Sequence, residues 1–268
     1  MLHAADVSCR FGRATVLDRV SLHVPRGGIT GVLGPNGSGK TTLLRILSGS
    51  LAPTAGDVRL DDVPIGHIGK RELARRLAVV PQEIHPVFDY TVLDLALMGR
   101  YAHLGPFGFE TASDLLATRR ALAATGTSDL ECRHFDTLSG GEKQRVVIAS
   151  ALAQFAEGEA GVARLLILDE PTAALDLHYQ LEIALLLRRL ADEQGLTLLV
   201  STHDLQFAWQ VCDRVVLLQG GRLLADGPTA ATLTPDHLRT LYGVQVDRIT
   251  HADGTVSLVP VSLVRAPR

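Results

Sequence analysis

The stretch GPNGSGKT, Gly34 to Thr41, decides the fold. It closes a continuous apolar run, ITGVLG, that reads as a buried strand, and it precedes LLRILSG, which has helical character. A glycine-rich turn between strand and helix lets backbone N–H groups face inward as an anion-binding nest, reinforced by the positive end of the helix. In such a loop Lys40 reaches the β- and γ-phosphates of a nucleotide, and the Thr41 hydroxyl binds Mg²⁺. Average composition produces the pattern by chance in roughly one chain per hundred of this length, and the flanking elements shrink that further. The lysine is informative in itself. Of 26 basic residues only Lys40, Lys70 and Lys143 are lysines, so a lysine here asks why arginine would not serve.

Outward from the loop, strands and turns fill the first ninety residues. VLDRVSLHV alternates apolar and polar side chains, DVRLDDVPI and LAVVPQ read as further strands, and KRELARR is a short helix between them. From about Thr91 to Gln154 the pattern turns helical, with TVLDLALMG and SDLLATRRALAATG, the latter stopped by Gly126. GRYAHLGPFGFE, Gly99 to Glu110, is rich in glycine, proline and aromatics and is expected to be an exposed loop. Alternation then resumes: LLILD, a helix through Arg189, TLLVST, a helix from Asp204, and RVVLLQ. In the first of these helices Ile183, Leu186, Leu187 and Leu190 form a core-facing stripe. A parallel α/β sheet interrupted by a helical insert accounts for this order. The tail from Val244 holds two strand-like runs around Asp253-Gly254, a hairpin signal, and is expected to pack on the body without chemistry of its own.

Composition sets the bounds. The 268 residues are 46% hydrophobic and 21% charged, which excludes a disordered chain. With 29 acidic against 26 basic residues and a net charge of -3, no nucleic-acid partner is expected. No apolar run approaches the ~18 residues of a membrane span, and no signal peptide is read at Met1, so a cytoplasmic chain is expected. Cys9, Cys132 and Cys212 lack CxxC spacing and read as free thiols; the ten histidines show no metal-ligand spacing.

Two more motifs carry chemistry. LLILDE, Leu165 to Glu170, is a buried strand that ends in two carboxylates, where ligands of open α/β sheets bind. Asp169 suits the Mg²⁺ shell, and Glu170 suits a general base or water-positioner at the γ-phosphate. LSGGEKQR, Leu138 to Arg145, opens a helix after a serine and two glycines, a second anion site made of Ser139, Gly140, Gly141 and a helix dipole.

That octet matches the signature of ATP-binding-cassette proteins, and from about Leu2 to Tyr242 the chain resembles that family, with its motifs in the family's order. The resemblance implies a RecA-like phosphate-loop NTPase core with an N-terminal antiparallel β-subdomain and an inserted helical subdomain at about 91–154. Residues 1–243 then form the ATPase domain and 244–268 a short extension. It implies ATP and Mg²⁺ as ligands, with Gly34, Pro35, Asn36, Gly37, Ser38, Gly39, Lys40, Thr41 and Thr42 around the phosphates. Phe11 stands where an aromatic stacks on adenine, Gln82 matches the glutamine that contacts Mg²⁺ and the attacking water, and His203 matches the switch histidine at the γ-phosphate. Asp176 matches the aspartate of the dimer seam, and Ser139, Gly140 and Gly141 would close on ATP held by a second copy.

VLDLALMGRYAHLG, the spacer AQFAEGEAGVAR and LTPDHLRTLYGVQV are similar to the branch that energises uptake of iron-siderophores, haem or cobalamin. The partners implied are a second copy of the chain, two membrane permease subunits and, indirectly, a periplasmic or lipoprotein substrate-binding protein. The place implied is the cytoplasmic face of the bacterial inner membrane. Val87, Phe88, Tyr90, Tyr101, Phe107 and Phe109 have two accounts: helical-subdomain core, which is expected to take Phe88, or a groove for a permease helix. An exporter, or a cassette ATPase acting on ribosomes or DNA, are the alternatives; tandem cassettes, coiled-coil inserts and basic patches, which mark the latter, are not in this sequence.

Overall fold

The apolar run before the glycine loop forms β3 (Gly28–Leu33), buried from Ile29 onward, as a strand covered on both faces requires. It leads through the loop into α1 (Lys40–Leu47), whose Leu43, Leu44, Ile46 and Leu47 are buried. The computed structural model describes residues 1–83, 88–105, 108–155 and 164–264. The chain divides into two units, Met1–Pro64 with Leu199–Arg268, and Ile65–Leu198.

The first unit holds an antiparallel sheet of β1 (Leu2–Phe11), β2 (Ala14–Val24), β4 (Ala55–Leu60) and β5 (Val63–Pro64), in the order β2-β1-β4-β5. Alternation places Val20, Leu22 and Val24 of β2 in the core, and a register shift at Arg19, φ +49°, brings Leu17 inward as well. A second sheet carries β3 between β9 (Arg214–Gln219), its parallel partner, and β8 (Thr197–Thr202), of which Leu199–Thr202 belong to this unit. β10 (Arg222–Pro228) extends the sheet antiparallel to β9. After β8 comes α7 (Leu205–Val211), and after β10 come α8 (Thr229–Thr232) and α9 (Pro235–Tyr242), stopped by Gly243 at φ +66°. The expected tail hairpin forms from β11 (Val244–Thr250) and β12 (Val256–Leu263). Its turn has Gly254 at φ +83° and the Asp253 carboxylate accepting from Thr255 N at 2.9 Å.

The second unit begins with α2 (Lys70–Arg76) and β6 (Leu77–Val80), which pairs in parallel with β7 (Leu165–Asp169) from Leu77↔Leu165 to Val80↔Leu168. Between them in the chain, α3 (Val92–Leu97), α4 (Ala112–Ala124) and α5 (Gly140–Ala153) pack on one another. Each is opened by a capping box: Thr91 with Asp94, Thr111 with Asp114, and Ser139 with Glu142. α6 (Leu177–Asp192) buries the expected stripe of Ile183, Leu186, Leu187 and Leu190. The α/β fold with an antiparallel N-terminal sheet and a helical insert is thus the fold found.

One local expectation is corrected. The segment from Gly99 to Glu110 does not begin as an exposed loop. Met98–Ala102 is a 3-10 turn, and a Cβ on Gly99 would come within 2.1 Å of the Ser150 carbonyl oxygen, so this backbone lies directly on α5. Arg100 is only 7% exposed. Its Nε donates to Asp114 Oδ1 at 3.0 Å, and its Nη1 donates to the carbonyls of Ala153 at 2.7 Å and Phe155 at 3.3 Å. The guanidinium is buried because a carboxylate and the unsatisfied carbonyls at the end of α5 replace its water. Pro106 and Phe107, and most of the AQFAEGEAGVAR spacer (residues 156–163), lie outside the described residues.

Candidate nucleotide site

In the first unit, the phosphate loop is built by close approaches that only glycine permits. A Cβ on Gly34 would stand 2.3 Å from the Leu218 carbonyl oxygen and 2.5 Å from Ser38 Oγ, so β9 packs against the loop's own start. Gly39, at φ +103°, lies against Leu17 and begins α1 as its N-cap. Ser38 N donates to Pro35 O at 3.1 Å, and Gly221 N donates to Ser38 O at 3.1 Å, which ties the loop to the β9–β10 turn. Pro35, Asn36 and Gly37 line the rim, with Asn36 and Gly37 exposed.

Two buried polar groups stand out here. Lys40 is 6% exposed, and its ammonium folds over the loop to donate to Gly34 O at 2.9 Å and Pro35 O at 3.5 Å. Ser38 Oγ is buried and has no hydrogen-bond partner among the described residues, an unpaid desolvation that an anion in the nest would settle. α1 has no acidic residue in its own first turn to offset its positive end. Thr41 is exposed and Thr42 half-buried at that end.

Phe11 and His203 belong to the same unit. Phe11 closes β1 and is 55% exposed, its ring available for stacking. His203 is exposed between the end of β8 and the cap of α7. Asp204 N donates to Thr202 Oγ1 at 3.0 Å, and Asp204 Oδ1 accepts from Gln206 N at 2.8 Å and Phe207 N at 3.0 Å. The histidine therefore sits on a turn with both ends pinned.

The second unit carries the other candidates. Asp169 ends β7 with 8% exposure, and Glu170 follows in the left-handed region at φ +47°. A non-glycine residue there stores of order 1 kcal/mol or more and is held by its surroundings; Ala173 N donating to Glu170 O at 3.0 Å closes the turn. Gln82 is exposed just after β6. Asp176 caps α6, its Oδ1 accepting from Tyr179 N at 3.2 Å.

Ser139 caps α5: its Oγ accepts from Glu142 N at 3.3 Å while its own N donates to Glu142 Oε2 at 2.7 Å. The bonds from the Ser139 amide and hydroxyl hold the Glu142 carboxyl below its ordinary value. Gly140 is exposed, whereas Gly141 is pressed on the Tyr179 ring, 2.1 Å from where a Cβ would stand. Arg145 Nη1 donates to Glu182 Oε2 at 3.0 Å, which ties α5 to α6.

Among the aromatics, Phe88, expected in the core, is 70% exposed and meets Tyr90 edge-on at 6.1 Å. Phe88 stays outside ahead of α3, while Tyr90 is half-buried. Tyr101 and Phe109 are also exposed, and Val87 and Phe107 lie outside the described residues. The capping boxes at Thr111 and Ser139 were readable as S/T-x-x-D/E spacings; nothing local signalled that Asp114 would bind Arg100. No group of three or more His, Cys, Asp or Glu is placed to hold a metal ion by itself among the described residues.

A glycine loop between β3 and α1, fed by a parallel sheet, defines a phosphate-loop ATPase. The family described as ABC transporter matches residues 17–173. The hemin import ATP-binding protein HmuV of Bordetella pertussis is 43% identical over 252 residues, 93% of this chain and 95% of that protein. The cobalamin import ATP-binding protein BtuD of Halobacterium salinarum is 38% identical over 247 residues, 92% of this chain and 60% of that protein's length. Among solved structures, a chain of an inward-facing ABC transporter described as of metal-chelate type superposes with a TM-score of 0.84 at 28% identity, covering 97% of this chain and 96% of that one. A dimeric ATP-binding cassette bound to ADP and phosphate gives a TM-score of 0.69 at 27% identity, covering 85% and 99%. The chain belongs to the ABC transporter family and is one of its ATP-hydrolysing cassettes. Among the described residues no helix is long and apolar enough to cross a membrane.

Proposed function

We propose that this chain is the ATPase subunit of an importer of metal chelates, whether haem, cobalamin or an iron-siderophore, and that it works as a pair beneath two permease subunits. The observation that carries the reading is its likeness to a hemin import ATP-binding protein along nearly the full length of both chains. The pairing draws support from the dimeric cassette among the similar structures. Permease contact draws support from the exposed Phe88, Tyr101 and Phe109, side chains that water alone does not favour. The site of work is the cytoplasmic face of the cell membrane, with cargo delivered to the permease by a substrate-binding protein.

In this reading the loop amides of Gly37, Ser38 and Gly39 hold the β-phosphate. Lys40 exchanges the carbonyls of Gly34 and Pro35 for phosphate oxygens, and Phe11 stacks on adenine. The Thr41 hydroxyl and, from the second unit, the Asp169 carboxylate and the Gln82 carboxamide are hard oxygen donors that suit Mg²⁺. Mg²⁺ bound with the triphosphate supplies neutralising charge on the β- and γ-oxygens. Glu170 orients the attacking water and accepts its proton, and His203 donates to the γ-phosphate. Ser139, Gly140 and Gly141 of the second copy approach the same phosphate, with Asp176 at the seam. Lys40→Ala removes the only ammonium in the loop and should abolish ATP binding by calorimetry. A strain lacking the gene should lose uptake of one of the three chelates, restored by the wild-type chain and not by Lys40→Ala. Unchanged uptake of all three would refute the import reading.

A further inference from the structure

The tail hairpin is fastened to the helix that starts beside His203. Gln206 on α7 commits its whole carboxamide to the backbone of β12: Nε2 donates to Val256 O at 3.2 Å, and Oε1 accepts from Leu258 N at 3.3 Å. The side chain thus takes the place of a neighbouring strand. One turn further along α7, the guanidinium of Arg248 from β11 lies 4.7 Å from the centre of the Trp209 ring. Asp204, whose carboxylate accepts from the Gln206 amide, connects this clasp to the residue after His203.

Packing does not fill the space beside the clasp. An open cavity of about 380 Å³ is lined by His203, Asp204 and Leu205 on one side and by Tyr242, Val244 and Leu258 on the other. Close-packed side chains would fix the distance between the His203 turn and the hairpin through many short contacts. Beside that groove the hairpin packs through the buried Val246 and Leu258, and Gln206 adds the directional bonds, one at each end of a rigid amide, that fix the register of α7 against β12.

We infer that Gln206 is a positioning residue for ATP hydrolysis: by fastening α7 to β12 it holds the His203 turn in place for the reacting phosphate, which makes the hairpin part of the catalytic apparatus. The inference rests on the role given to His203 above. Its test uses the full chain with Gln206→Met, which keeps the length and removes both bonds, and Gln206→Glu, which keeps the acceptor for Leu258 N. Steady-state hydrolysis, ATP affinity by calorimetry and thermal unfolding are measured for both, alone and combined with His203→Ala. Gln206→Met should lower kcat by about tenfold or more while KM and affinity stay within about twofold, because the Lys40 loop is untouched. Gln206→Glu should lie between it and wild type. In the His203→Ala background Gln206→Met should slow hydrolysis no further. An inactive His203→Ala beside a Gln206→Met of wild-type kcat overturns the inference alone, as does additive slowing in the double variant or a matched loss of affinity. Wild-type hydrolysis by His203→Ala removes the role of His203 and this inference with it. Should Gln206→Met fail to fold, the kcat of Gln206→Glu decides by the same criteria.

Discussion

Asp114→Asn is the substitution whose effect the structure sizes best. Asp114 and Arg100 are 5% and 7% exposed and meet at 3.0 Å, so their attraction is little screened. Burial by itself would raise the Asp114 carboxyl. The Thr111 hydroxyl and amide, at 2.7 and 3.0 Å from Oδ2, and the Arg100 guanidinium outweigh it and hold the group at about 2, against an ordinary 3.8. At ~1.4 kcal/mol per pKa unit that difference is worth about 2 kcal/mol of folding stability at neutral pH. Asparagine keeps the size and a capping oxygen but leaves Arg100 buried without a counter-charge, a situation that typically costs 3–5 kcal/mol. The variant should therefore lose about 2–4 kcal/mol, read as a lower urea midpoint at unchanged slope by circular dichroism. The pH dependence has a definite sign. A carboxyl with a depressed folded value stabilises above its unfolded value and loses that contribution as pH falls through the folded one. The gap between wild type and Asp114→Asn should then be constant from pH 7 to about 5 and narrow through pH 3 toward pH 2. A midpoint within about 1 kcal/mol of wild type at pH 7, or a gap that widens in acid, would refute the argument that this pair is buried and strongly coupled.

Two further outcomes bear on the site. Gly34→Ala should abolish nucleotide binding in a fluorescent-ATP titration without unfolding the chain, because the new methyl meets a backbone oxygen 2.3 Å away that cannot rotate aside; wild-type affinity would show that the loop is not the binding element. Glu170→Gln should still bind ATP but lose ~10²–10⁴ in hydrolysis rate and accumulate as a dimer on size exclusion, whereas Ser139→Arg, placed at the exposed start of α5, should block dimerisation by bulk. Normal hydrolysis by Glu170→Gln, or equal dimerisation by the two variants, would overturn the sandwich arrangement.

How much of this was legible in the sequence depends on how far along the chain a residue's partners lie. β3, the glycine loop and α1 are contiguous, so apolar run, glycines and helix period could be read together. The stripe of α6 and the Asp253-Gly254 hairpin are local in the same way. The roles of His203, Gln82 and Asp176 came from resemblance, since a histidine after a strand or an aspartate at a helix start has ordinary structural uses; Asp176 does cap α6. α5 shows the division within one helix. Its N-terminus was readable from a serine followed by two glycines, and the bonds that close it, between Ser139 and Glu142, span only three positions. Its C-terminus was not, because the carbonyls of Ala153 and Phe155 are satisfied by Arg100, 53 and 55 positions earlier. An arginine in a run of glycine and aromatics carries no sign of burial until the fold supplies Asp114 and those carbonyls together. The same holds for Gln206, an unremarked helix residue whose partners in β12 begin 50 positions later. Both long-range clasps hold an element end that local sequence leaves loose, and both spend a complete polar side chain on backbone or carboxylate in doing so. Substitutions at Arg100 and Gln206 should therefore be felt at α5 and at the His203 turn, although neither residue lies in the glycine loop, in LSGGEKQR or in LLILDE.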